Sequence, residues 1–218
     1  MKKNSLFIVT LLFTTLLANP AVAALNVLTC EPEWAALAKE LGGDLVDVSS
    51  ATTGAQDPHH VQARPSRISK ARKADLLICT GAELEIGWLP LLQRKTSNPA
   101  IQDGAEGYFM ASDSVSMLDV PTILDRSQGD VHAMGNPHIQ TDPNNITDVA
   151  ADLNKRLQLI DPENAALYQQ RYEDFSSRWQ QALKRWNKQA QNLRGKQTVV
   201  HHKSWVYMND WLSLKEVA

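Results

Sequence analysis

The chain is short of several things, and each shortage excludes something. Only two of its 218 residues are cysteines, Cys30 and Cys79, and aromatic residues make up 6%. Beyond the first two dozen residues no apolar run is long enough for a membrane-spanning helix. There is no basic excess either. The formal net charge is −2, and removing an N-terminal segment that holds two lysines and no acids would make it −4. That balance argues against a nucleic-acid partner, which needs a basic face. Gly-x-Ser-x-Gly and His-Glu-x-x-His are both missing, and Gly81-Ala82-Glu83 lacks the glycine spacing of a nucleotide loop. Neither cysteine has a close Cys or His partner in sequence, so a zinc site built on them is not expected. Both end strand-like apolar runs. A disulfide between neighbouring strands and a pair of buried free thiols are equally open readings. A thiol nucleophile is not favoured, because a cysteine ending an apolar strand is usually buried and inert.

The first residues form a targeting segment. Lys2 and Lys3 supply a positive start, Leu6 to Leu17 is apolar apart from a few threonines, and Ala21-Val22-Ala23 is a small-residue cleavage pattern. The pattern predicts a cleavable signal peptide over residues 1–23 and export to the periplasm. No cysteine stands at the cut, which speaks against a lipid anchor. The remaining length suits one or two domains.

The first half then alternates strand-like and helix-like stretches. Strands are predicted at Leu25 to Thr29, Leu45 to Val48, Leu76 to Cys79 and Tyr108 to Met110. Helices are predicted from Pro32 to Leu41 (stopped by Gly42-Gly43), from Pro65 to Ala71 and from about Glu83 to Gln93. Glu83 and Glu85 read as acids favouring that third helix's N-terminus. Such alternation predicts a parallel sheet covered on both faces, with ligands beyond the carboxyl ends of its strands. Residues Ser112 to Asn145 are loop-rich, and a loop this long is usually functional or disordered. Ile146 to Leu159 reads as a helix. Asp161-Pro162 reads as the N-cap and first position of the next one. That helix shows a stripe of Tyr168, Tyr172, Phe175, Trp179, Leu183, Trp186, Ala190 and Leu193 at the α-helical period. From Asn164 to Leu193 it would be about 45 Å long, at about 1.5 Å per residue, which reads as a spine between two lobes. Thr198 to His202 reads as a strand and Trp205 to Leu214 as a short helical stretch.

What the chain does have is six histidines gathered in or beside three short stretches: Asp57-Pro58-His59-His60, Asn136-Pro137-His138 (with His132 just before it) and Val200-His201-His202. Neutral imidazole is the commonest protein metal ligand. A proline before His59 and another before His138 hold the local backbone and reduce the entropy lost on pinning the ring. Any one of these histidines alone is more often a turn residue. The signal is the trio His59, His138 and His202 on separate segments. Three imidazoles suit Zn²⁺ better than Mn²⁺. His201 and His202 alternate in direction on a strand, so at most one faces a given site. His60 and His132 are spares, capture groups for a passing ion, or merely solvated. Protons compete with the metal, so binding is expected to fall steeply below about pH 6, near the imidazole reference of about 6.5.

At these residues the chain resembles a known family, the periplasmic zinc- or manganese-binding proteins of ABC importers, the zinc-uptake type in particular. The resemblance rests on Gly54-Ala55-Gln56-Asp57-Pro58-His59, Arg64-Pro65-Ser66, Ala74-Asp75-Leu76-Leu77-Ile78, Gly81-Ala82-Glu83-Leu84-Glu85 and Trp88-Leu89. Asn136-Pro137-His138 with Asp142-Pro143, then Asp161-Pro162-Glu163-Asn164 and Val200-His201-His202, continue it. It implies an α/β fold of two βα lobes with parallel sheets, joined by a long backbone helix, with metal held in the cleft by His59, His138 and His202. It also implies a metal-capturing, non-enzymatic monomer. Its partners would be the metal ion, a membrane permease and, as a further candidate, a periplasmic metallochaperone.

Three departures stand out. Val61 replaces a usual aromatic. Lys203 follows the third histidine where an acid is common. The family's fourth ligand, an Asp or Glu of the second lobe, has no counterpart before Ala218. The resemblance therefore implies a C-terminally truncated member whose second lobe is largely missing. The expected organisation is a signal peptide (1–23), an N-terminal βα lobe (24–143), a helical region with the linking helix (144–195) and the start of the second lobe (196–218). Two rivals come from other classes. One is an exported zinc-dependent hydrolase using the same trio, with Asp57 or Asp142 as general base. The other is an interaction protein presenting the helix stripe.

Overall fold

The computed structural model describes residues 24–124 and 131–217, so the targeting segment lies outside the described residues. Four strands form one parallel sheet: β1 (Leu25–Thr29), β2 (Val46–Ser50), β3 (Leu76–Cys79) and β4 (Tyr108–Met110), in the order β2-β1-β3-β4. The registers are Val27 against Val48 and Leu76, and Ile78 against Phe109. β3 is buried at every position, as expected of a strand covered on both faces.

The side-chain alternation of a strand assigns each face its core. Val27, Leu76, Ile78 and Phe109 face one cluster with Trp34, Leu37 and Leu41 of α1 (Pro32–Gly42). Val149, Leu153 and Leu157 of α4 (Pro143–Ile160) and Tyr168 and Phe175 of α5 (Ala165–Gln189) complete it. Leu28, Cys30, Leu77, Cys79 and Met110 face the other, with Ala71 of α2 (Pro65–Lys73) and Leu89 and Leu92 of α3 (Leu89–Thr96). Cys30 and Cys79 end adjacent strands with Cα atoms 4.7 Å apart and are joined as a disulfide, which decides between the two open readings.

Three expectations need correction. The helix expected from Glu83 starts only at Leu89. Gly81, Ala82 and Glu83 all take positive φ (82°, 48° and 68°), and a run of left-handed residues cannot open a right-handed helix. At Gly81 a side chain would also collide with Ser112 Oγ. The expected strand to His202 covers only β5, Gln197–Thr198, paired with β6, Lys215–Glu216. Beyond Thr198 the backbone leaves the pairing, turns at Lys203–Trp205 and enters α6 (Val206–Leu212). His202 is therefore on extended but unpaired backbone. Asp161 does not cap α5. Its carboxylate accepts from the Tyr168 hydroxyl and the Asn164 amide, each at 2.8 Å. Pro162–Asn164 forms a tight turn and α5 begins at Ala165. The cap that does form is Asp142, which accepts from Asn144 N at 2.7 Å and opens α4 three residues before Ile146.

The stripe on α5 is packed for most of its length. Tyr168, Phe175 and Leu183 are buried, and Tyr172 and Trp179 lie against the same core. A role that presents the whole stripe to a partner is not favoured. Among the described residues no helix is long and apolar enough to cross a membrane.

Candidate metal centre

Every strand of the sheet hands the chain to a loop at the same rim. After β2 comes the loop that carries His59. Asp57 makes it a tight turn, its Oδ1 accepting from His59 N at 3.0 Å, the local hydrogen bond for which Asp favours turns. Trp88 fixes the turn from the side by donating its indole N–H to Pro58 O at 2.8 Å. The same Asp57 Oδ1 stands 2.7 Å from His59 Nδ1. With the proton on Nδ1 donated to the carboxylate, Nε2 keeps its lone pair, the outer-shell arrangement that orients metal-ligating imidazoles. Desolvation raises the Asp57 pKa, but the His59 N–H and imidazole outweigh it and hold the carboxyl below its usual range.

After β4 comes the long loop with His132 and His138. Asn136 is buried and explains its motif. Its Oδ1 accepts from His138 N at 3.0 Å, and its Nδ2 donates to Lys203 O at 2.7 Å. The side chain therefore ties the His138 turn to the segment that carries His202. Tyr207 adds a second tie, donating to Asn136 O at 2.8 Å while accepting from Leu118 N at 3.1 Å. Replacing Asn136 by alanine removes two part-buried hydrogen bonds, to the Lys203 carbonyl and from the His138 amide. It should lower the urea-unfolding free energy of the metal-free chain by about 1–3 kcal/mol, and an unchanged midpoint would contradict this account.

The three histidines singled out from sequence come together. His138 Nε2 and His202 Nε2 are 3.4 Å apart, and the His59 ring centroid is 6.2 Å from each of theirs. A fourth ring joins them: His132 Nε2 lies 3.3 Å from His59 Nε2. All four are half-buried, whereas His60 and His201 are exposed. The alternation expected at His201-His202 therefore holds even without a strand. Lys203 does not oppose the cluster, because its ammonium is 3.6 Å from Asp119. No three of these ring nitrogens lie mutually within 4.8 Å, so the two pairs stand slightly apart. A cleft of about 450 Å³, lined by His132, His138 and His202 among others, leads to them. Burial pushes the His138 pKa down to about 4, with the neighbouring imidazoles His202, His59 and His132 adding to the effect. That ring is neutral, and ready to donate its lone pair, well into acid.

A buried carboxyl pair lies at the carboxyl ends of β1 and β3. Thr80 N reaches Glu85 Oε1 at 2.8 Å and Glu31 Oε2 at 3.2 Å, and Gly81 N reaches Glu85 Oε2 at 3.1 Å. Burial raises Glu31 well above its usual range, reinforced by the charge of Glu85. Burial pushes Glu85 up to about 7, against the lowering hydrogen bonds from Glu31 and the two backbone N–H groups. Such a pair holds one proton between two carboxyls. A Glu85 oxygen also lies within 4.8 Å of both cysteine sulfurs. Those sulfurs are bonded to each other, so the trio is not a metal site. Sequence reasoning missed this pair, having read Glu85 as an acid at a helix start.

The family model for zinc-uptake complex component A, periplasmic (ZnuA), matches residues 27–218. The chain belongs to that family. It is 27% identical over 186 residues to the metal ABC transporter substrate-binding lipoprotein SloC of Streptococcus mutans, covering 82% of this chain and 58% of SloC. It is 27% identical over 157 residues to the manganese ABC transporter substrate-binding lipoprotein PsaA of Streptococcus pneumoniae, covering 71% of this chain and 48% of PsaA. The chain thus spans about half the length of these curated relatives. A crystal structure of ZnuA superposes with a TM-score of 0.74 at 22% identity, over 89% of this chain and 70% of that one. A manganese-bound periplasmic metal-binding protein from Candidatus Liberibacter asiaticus superposes with a TM-score of 0.68 at 19% identity, over 87% of this chain and 66% of that one. The ZnuA family is one of periplasmic metal-binding proteins, and its α/β fold is the one found here.

Proposed function

We propose that this chain is the metal-capturing component of an ABC importer, exported to the periplasm through residues 1–23 and delivering its ion to a membrane permease. His59, His138 and His202 hold the ion, and Zn²⁺ is its preferred cargo. The observation that carries the reading is the convergence of three half-buried imidazoles from three separate segments, with the His138 and His202 nitrogens 3.4 Å apart. The outer-shell tether from Asp57 to His59 Nδ1 supports it. Nitrogen ligands suit zinc, whereas manganese prefers carboxylate and water oxygens. The relatives named for manganese leave the ion to be decided on these ligands. We assign the sheet and its rim to residues 24–143, the linking helices to 144–195 and the start of a second lobe to 196–218.

Hydrolysis is not favoured. Asp57 is committed to His59, and Asp142 to capping α4. Neither is left as a general base.

Calorimetric titration with Zn²⁺ and with Mn²⁺ tests the assignment. Zinc should bind at one equivalent and more tightly than manganese. His59→Ala, His138→Ala and His202→Ala should each weaken zinc by more than the roughly 10–100-fold typical of a lost outer-shell partner. Unchanged affinity in all three variants would reject the site.

A further inference from the structure

His132 lies outside the three motif histidines, yet its ring stands at the same spacing from His59 as His202 does from His138, stacked at 30° where the other pair meets edge-on at 86°. The His59 and His132 centroids are 5.3 Å apart with Nε2 atoms 3.3 Å apart. The His138 and His202 centroids are 5.4 Å apart with Nε2 atoms 3.4 Å apart. These are the spacings that a metal imposes. Nitrogens about 2.0–2.1 Å from a zinc ion at tetrahedral corners stand about 3.3–3.4 Å from one another. Two pairs with the edge length of such a tetrahedron are therefore present. The two pairs stand apart, with the His59 centroid 6.2 Å from those of His138 and His202 and no three of the ring nitrogens mutually within 4.8 Å, so a shared ion has to draw them together. We propose that His132 is the fourth ligand, so that the site closes with four imidazoles all supplied by residues 59–202. This rests on the three-histidine reading above and extends it.

The backbone around His132 is built to hold it there. Ala133 N donates to Glu83 Oε2 at 2.7 Å, and Gly135 N donates to His132 O at 3.1 Å. Glu83 sits on the left-handed turn after β3, on the same rim as the His59 loop. It is thus a positioning residue for His132, acting through the Ala133 amide. Four neutral imidazoles would supply nitrogen alone, and Asp57 acts from behind His59, on its Nδ1. Such a donor set discriminates against manganese, whose preference is for oxygen, and favours zinc.

Zinc-edge X-ray absorption on the zinc-loaded chain, paired with calorimetry, decides the matter. The expected result is four nitrogen ligands at about 2.0 Å, with outer-shell scattering from four imidazoles. His132→Ala should show three imidazoles and one oxygen ligand without imidazole outer-shell scattering. Its zinc affinity should fall by at least the roughly 10–100-fold that loss of an outer-shell partner costs. Glu83→Ala should weaken zinc less, and His132→Asp should raise manganese affinity relative to zinc. Three imidazoles in the unmodified chain, or undiminished zinc affinity in His132→Ala, would overturn the proposal. If His59→Ala, His138→Ala and His202→Ala each abolish binding while His132→Ala does not, the three-histidine site stands and only the fourth ligand fails. If none of the four variants changes binding, both fail.

Discussion

Replacing Cys30 and Cys79 together by alanine should lower the unfolding free energy of the metal-free chain by about 4 kcal/mol. The disulfide closes a loop across 49 positions of sequence, and the chain-entropy account gives about that value for a loop of about 50 residues. In a chain of this size the thermal midpoint should drop by about 8–16 °C. The effect is large because both sulfurs are fully buried at the ends of the two central strands. The bonded loop also contains β2 and the whole His59 turn. Urea unfolding of the oxidised chain and the double variant, both without metal, measures it. A difference below about 1 kcal/mol would show that the cross-link constrains little that packing does not already fix.

The second large effect is a pH dependence traceable to Glu85. Its carboxyl is raised from 4.5 to about 7 in the fold. A raised folded value means that the fold binds the proton more tightly than the unfolded chain does. The stabilisation is complete below pH 4.5 and disappears as pH rises through about 7. Between pH 5 and pH 8 the chain should lose on the order of 2–3 kcal/mol through this pair, because each tenfold difference in proton affinity is worth about 1.4 kcal/mol. Glu85→Gln keeps an acceptor for the Thr80 amide and gives Glu31 an N–H donor without a second charge. Its stability should therefore decline far less across that range. Unfolding free energies at pH 5, 6, 7 and 8 for the two proteins would show diverging profiles. Parallel profiles would mean that the carboxyls do not share a proton.

The sheet is legible in the sequence because apolar runs bounded by Gly and Pro report burial on both faces. β1 and β3 sit where those runs predict. Helix starts are legible where proline supplies the first turn, as at Pro32 and Pro65. The Gly81–Trp88 turn is not, because Ala82 and Glu83 carry no local mark of a left-handed backbone. What bears on the turn is the lack of room for a side chain at Gly81 beside Ser112, more than thirty residues away, and the Glu85 carboxylate that accepts from Thr80 N and Gly81 N. The short extent of β5 escapes for a similar reason, since the length of a strand is set by the strand beside it. Within the candidate centre, the positions of His59 and His138 follow from loops after strands. The approach of His202 depends on Asn136 Nδ2 reaching Lys203 O, a contact no spacing rule announces. His132 lacks a preceding proline, and its nearby punctuation is two glycines, Gly129 and Gly135. The Glu31–Glu85 pair is hidden because each glutamate, taken alone, reads as a solvated helix-start acid.

Tyr207 and Leu118 have a consequence for how this chain tolerates change. The hydroxyl of Tyr207 holds Leu118 N and Asn136 O together, and Asn136 N closes onto Leu118 O at 2.8 Å. Those bonds hold Leu118 and Asn136 together, so the chain between them begins and ends at fixed anchors whatever its contour length. Doubling the length of such an excursion costs only about 0.6 kcal/mol in closure entropy. Inserted residues between Asp119 and Val131 would leave the paired rings of His138 and His202 in place.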